Sequence, residues 1–212
     1  LYDLLSVFEA PKLHEVHGKR VTARKEPLLL AENLSGSVLY SDAYMEDDRL
    51  VLETLRSAND LGAECANFVK ATRIDETEEG CQIMLQDMLT KEIFSVRAKH
   101  VAGCVGPWTD IFGKEALPKW ENVLRPTKGV HVVFDRARIP VQQAVVMAVE
   151  QRIVFVIPRD QVVIVGTTDT DFRVDPNDVT TDSEDVRYLL SVANQYFPTL
   201  NLEKSDIISC YA

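Results

Sequence analysis

The sequence predicts an α+β (mixed α/β) fold, a mixed antiparallel sheet with flanking helices. Three features predict it. Four valine-rich runs, at residues 129–134, 144–149, 153–157 and 162–166, read as strands. Residues 81–85 and 92–98 alternate apolar and polar side chains, as paired antiparallel strands do. Two helical patterns, one opening at Asp47-Asp48 and one at Asp182, carry carboxylates in the first turn, where the helix dipole favours them.

In chain order, Leu1, Leu4, Leu5 and Phe8 have helical spacing. Residues 12–32 are polar and patchily basic, with Pro11 and Pro27 as breakers, and suggest a connection with one short helix at 23–30. A strand runs into a loop over 36–44. The helix from Asp47 places Leu50, Val51, Leu55, Ala58 and Leu61 on one face, and Gly62 ends it. Residues 66–74 form a strand, 75–80 an acidic turn, 101–105 a short apolar strand, and 108–112 the start of a helix. Pro158 to Gln161 turns the last two valine strands. Thr181, Asp182, Ser183 and Glu184 cap a helix to Tyr196 that buries Val186, Leu189, Leu190 and Ala193 and is stopped by Pro198. A last strand begins at Ile207. Gly113, Pro118 and Pro126 cluster where a domain boundary is expected, at 113–125.

At 212 residues and 46% hydrophobic composition, the chain is long enough to bury a sizeable core. A net charge of −10 argues against nucleic-acid binding, which needs a basic footprint. No apolar run is long enough to span a bilayer, and the opening residues lack the basic start of a signal peptide. Without an initiator methionine, and with patterns cut at both ends, the chain reads as a fragment. Cys65, Cys81, Cys104 and Cys210 form no Cys-x-x-Cys pair, which predicts reduced thiols in a cytoplasm-like compartment and no metal site.

Three short motifs carry chemistry-bearing residues. Gly106-Pro107-Trp108-Thr109-Asp110 turns a strand into a helix start, where free backbone N–H groups suit a cofactor or anion; a plain strand–helix turn is the alternative. Lys128-Gly129-Val130-His131 opens a strand. Alternation sets Lys128 and Val130 on one face and Gly129 and His131 on the other. The histidine is a proton-exchange candidate or a hydrogen-bonded core residue. Gly166-Thr167-Thr168-Asp169-Thr170-Asp171 is rich in short oxygen-bearing side chains; it suits a hydroxylated ligand or an Asx turn, and it lacks the calcium-loop pattern. Lys119, Arg125, Lys128, Arg136, Arg138, Arg152 and Arg159 outnumber Glu121, Asp135 and Glu150, a local basic region in an acidic chain that suits a small anion.

Taken in this order, with the helix at Asp47-Asp48-Arg49-Leu50 and the stretches 98–110, 125–131, 152–158, 166–171 and 185–198, the chain resembles the FAD-dependent glycerol-3-phosphate dehydrogenases from residue 38 to its end. The resemblance implies a D-amino-acid-oxidase-like fold. Residues 1–35 would be a helical lead-in and connection, 36–112 part of the FAD-binding domain with an inserted hairpin, and 113–212 the substrate-binding (cap) sheet domain. It implies oxidation of sn-glycerol 3-phosphate to dihydroxyacetone phosphate, with hydride to FAD and electrons to membrane quinone. Glycerol-3-phosphate oxidase, which uses oxygen, and a non-catalytic ligand-binding module on the same fold are the alternatives.

By the same resemblance His131 and Arg152 are the catalytic residues, His131 taking or steering the proton of the C2 hydroxyl and Arg152 facing the substrate through its phosphate. Lys128 is adjacent to the substrate, either catalytic or structural, and Thr167 is substrate- or flavin-proximal. Gly106, Pro107 and Trp108 pass close to FAD, and Phe68 and Val69 run beside the adenine. The family's Gly-x-Gly-x-x-Gly turn does not occur in this sequence, and its Arg-Pro segment is expected just past Ala212. The isolated chain is therefore expected to hold FAD weakly and not to turn over. The whole protein is expected to be cytoplasmic, meeting the membrane peripherally.

Overall fold

The valine-rich second half closes into one five-stranded antiparallel sheet with a helix across it. A computed structural model of the chain describes residues 12–30, 32, 34–117, 119–149 and 152–212. The helical pattern of the first eight residues, Pro11, Pro118 and Glu150 lie outside the described residues. The chain divides into two compact units, Leu1–Asp42 with Arg125–Ala212, and Ala43–Leu124. Mixed helices and antiparallel sheets make up the described residues.

In the first unit, strands β7 (His131–Asp135), β8 (Val145–Val149), β9 (Arg152–Arg159), β10 (Val162–Gly166) and β12 (Ile207–Tyr211) pair in the order β12-β7-β10-β9-β8. Period-two alternation puts Val132, Phe134, Val154, Val156, Val163, Val165 and Met147 on one face, all fully buried. Helix α4 (Ser183–Tyr196) covers that face with Leu189, Leu190, Val192 and Ala193, and Phe197 completes the core. Its N-terminus has the expected cap. The Asp182 carboxylate accepts the N–H of Glu184 and Asp185, and the Asp185 carboxylate accepts the N–H of Asp182. At the outer edge, the Tyr196 hydroxyl donates to the Ala148 carbonyl and accepts its N–H, which satisfies backbone of edge strand β8.

Two expectations shift here. Residues 15–18 form a strand, β1 (Glu15–Gly18), paired with β2 (Gly36–Leu39), and the short helix α1 is Lys19–Lys25 rather than 23–30. Pro27 disfavours helical backbone at the residue before it, and Glu26 leaves the helix at φ −131°. The Glu26 side chain then turns inward, and one carboxylate oxygen accepts the N–H of Gln142 and of Gln143, each at 2.9 Å. The predicted strand at 129–134 is interrupted. A two-residue β6 (Thr127–Lys128) pairs with β11 (Thr170–Asp171), and β7 starts only at His131.

The second unit holds a three-stranded meander, β3 (Val69–Thr77), β4 (Gly80–Asp87) and β5 (Ile93–Ala98), with helices α2 (Asp47–Asp60) and α3 (Thr109–Ala116). The hairpin and both helices stand where the patterns predict. Residues 101–105 are not a strand, because the meander extends no ladder to them. No residue of α2 is buried, so its apolar side chains face solvent.

Candidate active site

His131 begins β7 on the face opposite α4, the side that alternation assigns it. Its neighbours across the sheet are Tyr211 of β12 and Gly166 of β10. The imidazole stacks on the Tyr211 ring, centroids 4.9 Å apart and planes 14° from parallel. On its other side the ring lies over Gly166, where any Cβ would collide with its carbon and nitrogen atoms. Among the described residues, neither imidazole nitrogen has a hydrogen-bond partner. Half-burial pushes its pKa below the ordinary histidine value, so the ring is neutral at neutral pH and free to accept a proton.

The break in the strand ahead of His131 has a specific cause. Thr168, 3% exposed, uses its hydroxyl to accept the Val130 N–H at 2.9 Å and to donate to the Lys128 carbonyl at 3.4 Å. Its own N–H donates to the Val130 carbonyl at 3.3 Å. A side chain thus replaces part of the ladder. Thr167 donates its hydroxyl to the Thr168 carbonyl at 3.0 Å and packs against Gly129, where a Cβ would meet the hydroxyl at 2.6 Å. Gly129, His131, Gly166 and Thr167 are therefore neighbours.

Lys128 points the other way, into the core. Its ammonium donates to the Thr180 carbonyl at 3.2 Å, to Asp182 at 2.8 Å and to Asp185 at 2.6 Å. All three donors are used inside the fold. Burial alone would lower its pKa, but the hydrogen bonds and charges of Asp182 and Asp185 outweigh that and raise it. The same contact, with two backbone N–H groups, lowers the Asp182 pKa to about 2.

Arg152 shares parity with Val154 and Val156, so it leaves the sheet on the α4 side, and its guanidinium carbon lies 5.7 Å from the Tyr188 ring centre. The strand pattern thus sends His131 and Arg152 to opposite faces of the sheet. Arg152 lines an open cavity of about 430 Å³ with Arg125, Thr127, Asp169, Thr170 and Asp171. Arg125 makes a two-pronged bond to Asp171, at 3.1 and 2.9 Å, and the two cations and two carboxylates of the cavity cancel in charge.

In the second unit, Gly106, Pro107 and Trp108 form a single 3₁₀ turn leading into α3. Gly106 has φ +51°, and a Cβ there would meet nothing within 4 Å, so the turn offers open backbone to a ligand. Phe68 stands just before β3 with φ 55°, exposed, and Val69 begins the strand.

Sequence reading did not single out Tyr211, Thr168 or Asp110 as working residues. Asp110 accepts the Trp120 indole N–H and the N–H of Val123 and Leu124, and so fixes the connection that follows α3. Asp182 was legible only as part of a helix cap, and Asp185 was not singled out; both close the observed cap. Their second role, binding Lys128, joins residues more than fifty positions apart.

A family model described as FAD dependent oxidoreductase matches residues 3–212. The aerobic glycerol-3-phosphate dehydrogenase of Staphylococcus haemolyticus is 36% identical over 215 residues, covering all of this chain and 39% of that protein. An alpha-glycerophosphate oxidase of Streptococcus pyogenes is 38% identical over 221 residues, again covering the whole chain and 36% of that protein. This chain thus spans well under half the length of these curated relatives. The glycerol-3-phosphate dehydrogenase of Bacillus halodurans, solved with FAD, superposes with a TM-score of 0.81 at 32% identity, covering 92% of this chain and 40% of that one. With residues 3–212 matched, the chain belongs to the FAD-dependent oxidoreductase family.

Proposed function

We propose that the whole protein carrying this chain oxidises sn-glycerol 3-phosphate to dihydroxyacetone phosphate and passes the electrons to quinone. The observation that carries this reading is His131, a half-buried imidazole with its nitrogens unpartnered and its pKa depressed. A neutral imidazole can take the proton of the C2 hydroxyl as the C2 hydrogen departs with its electron pair. Bound FAD supplies the acceptor for that hydride. Gly106, Pro107 and Trp108, with Phe68 and Val69, would hold the cofactor.

Thr167 would hydrogen-bond the substrate from its place beside Gly129, and Arg152 would pair with the phosphate, which requires its side chain to turn from the α4 face toward the face that carries His131. Arg152 would do so in competition with Asp169 and Asp171, which share its cavity. Lys128 would serve the substrate indirectly, by fixing the strand that presents His131. The residues 1–35, 36–112 and 113–212 would act as lead-in, FAD-binding part and substrate-binding sheet. The whole protein would be cytoplasmic and meet the membrane peripherally; among the described residues no helix is long and apolar enough to cross one.

Oxygen as the acceptor is a second reading, favoured by the similarity to oxidases as well as dehydrogenases. Turnover of glycerol 3-phosphate by the whole protein, with a quinone analogue and with oxygen in parallel, separates the two. His131→Ala and Arg152→Ala should each lower turnover about a hundredfold or more. Wild-type turnover in both variants refutes these two roles, and no turnover by the whole protein with either acceptor leaves a binding module.

A further inference from the structure

We infer that Tyr211 and Gly166 are the positioning residues of His131, setting its ring by stacking and close packing where hydrogen bonds are absent. The inference rests on His131 as the proton-accepting residue. Catalytic histidines are ordinarily oriented by a bond to one ring nitrogen, which fixes the tautomer. Here no such bond exists among the described residues. What touches the ring instead are its two cross-strand neighbours. Tyr211, His131 and Gly166 stand side by side on three adjacent strands, β12, β7 and β10. The missing side chain at Gly166 is the space into which the imidazole tilts. The Tyr211 ring closes the opposite side.

The backbone under the ring is equally constrained. Thr168 and the buried Lys128 pair hold residues 128–130 from the side, so the imidazole has a fixed root as well as two walls. Burial is the cause of the depressed His131 pKa. Removing a wall should therefore admit water and return the pKa toward the ordinary value.

The decisive measurement is independent of turnover. Diethyl pyrocarbonate acylates the neutral imidazole, and the pH dependence of modification of the His131 peptide, read by mass spectrometry on the flavin-loaded whole protein, gives its pKa. Tyr211→Ser removes one wall. Because Tyr211 is 48% exposed, its loss opens no core cavity and the variant should fold. It should raise the His131 pKa and, on the plateau well above that pKa, the modification rate of the opened ring. It should also lower kcat/KM mainly through kcat, with the acidic limb of the pH profile moving in step. Tyr211→Phe, which keeps the ring, should restore all three. Gly166→Ala should displace the imidazole and lower kcat about a hundredfold, the scale of a misplacement near 1 Å. An unchanged His131 pKa and modification rate in Tyr211→Ser overturns the inference, whether or not Gly166→Ala folds. Wild-type turnover in His131→Ala would instead sink the catalytic reading, while the acylation data still decide the positioning one.

Discussion

In the sheet unit, residues between Val130 and Leu202 form one continuous apolar cluster; in the hairpin unit, Ile83 is the one buried hydrophobic side chain among the described residues. The chemistry of the sequences differs less than this outcome does. Leu50, Val51 and Leu55 of α2 have the helical spacing of a core face, as Leu189 and Ala193 of α4 do, yet they stay about half exposed. Amphipathic spacing decides which residues share a face, whereas burial requires a surface opposite. The hairpin unit is held instead by its ladder and by side chains that close turns. Asp87 accepts the N–H of Leu89 and Thr90 at the β4–β5 turn, and Asp110 gathers three donors. The apolar contribution to stability therefore lies overwhelmingly in the sheet unit.

The largest test of that contrast is Phe134→Ala. Phe134 is fully buried at the centre of β7, and truncation should cost about 3–5 kcal/mol. Denaturant unfolding of the isolated chain should show the loss, and a cost below about 1 kcal/mol would mean the sheet core is not where the stability resides. Next is Lys128→Met. Removing the cation leaves Asp185, with its side chain 4% exposed, as a buried carboxylate without its counter-charge; the expected cost is about 3 kcal/mol.

The pH dependence of the same cluster has a definite sign. The folded Asp182 pKa is depressed to about 2, so its contribution is complete above the unfolded value and is lost as pH falls through about 2. Acid titration should loosen the first turn of α4, read as faster amide exchange at Glu184 and Asp185, and Lys128→Met should weaken that dependence.

Most of the sheet and both long helices were legible because period-two valines and capped 3.6-residue patterns are local signals. His131 and Gly166 were legible as motif residues for the same reason. Their adjacency was not, since it follows from the register of β7 against β10 across a gap of thirty-five positions. Thr168 was named within its motif, but its role was not legible, for a different cause. A buried threonine whose hydroxyl replaces a ladder bond has the same sequence signature as one in an ordinary turn. Strand β1 was missed because Glu15, Val16, His17 and Gly18 carry no strong alternation and pair only with β2. Residues 101–105 have a strand's composition without a neighbour to pair with.

Glu26 is the next smaller test, and it asks how the lead-in is held. One carboxylate oxygen serves two backbone N–H groups, and the other is buried without a partner. Burial raises the Glu26 pKa against the opposing pull of those bonds. A raised folded value means stability is greatest below the ordinary carboxylate range and falls as pH rises through the folded pKa. Glu26→Gln keeps the acceptor and removes the charge, so it should abolish that slope. Glu26→Ala strands the N–H groups of Gln142 and Gln143 and should cost about 1–3 kcal/mol at any pH. Identical pH profiles for Glu26→Gln and the unmodified chain would exclude a buried charge at this position.

The smallest effect is expected from Leu55→Gln, and it tests the other half of the contrast. Leu and Gln have similar helix propensity, and Leu55 is 46% exposed on a helix with no buried residue. With no cavity created and no helix penalty, the isolated chain should change in stability by less than about 0.5 kcal/mol. A matched Leu189→Gln on α4 should unfold the sheet unit, because it sets an unpaired amide in a fully buried position. Two leucines on two amphipathic helices would then differ solely in whether a surface faces them. If Leu55→Gln cost 2 kcal/mol or more in the isolated chain, α2 would have to be packed there, and the division between a cored unit and an open one would fail.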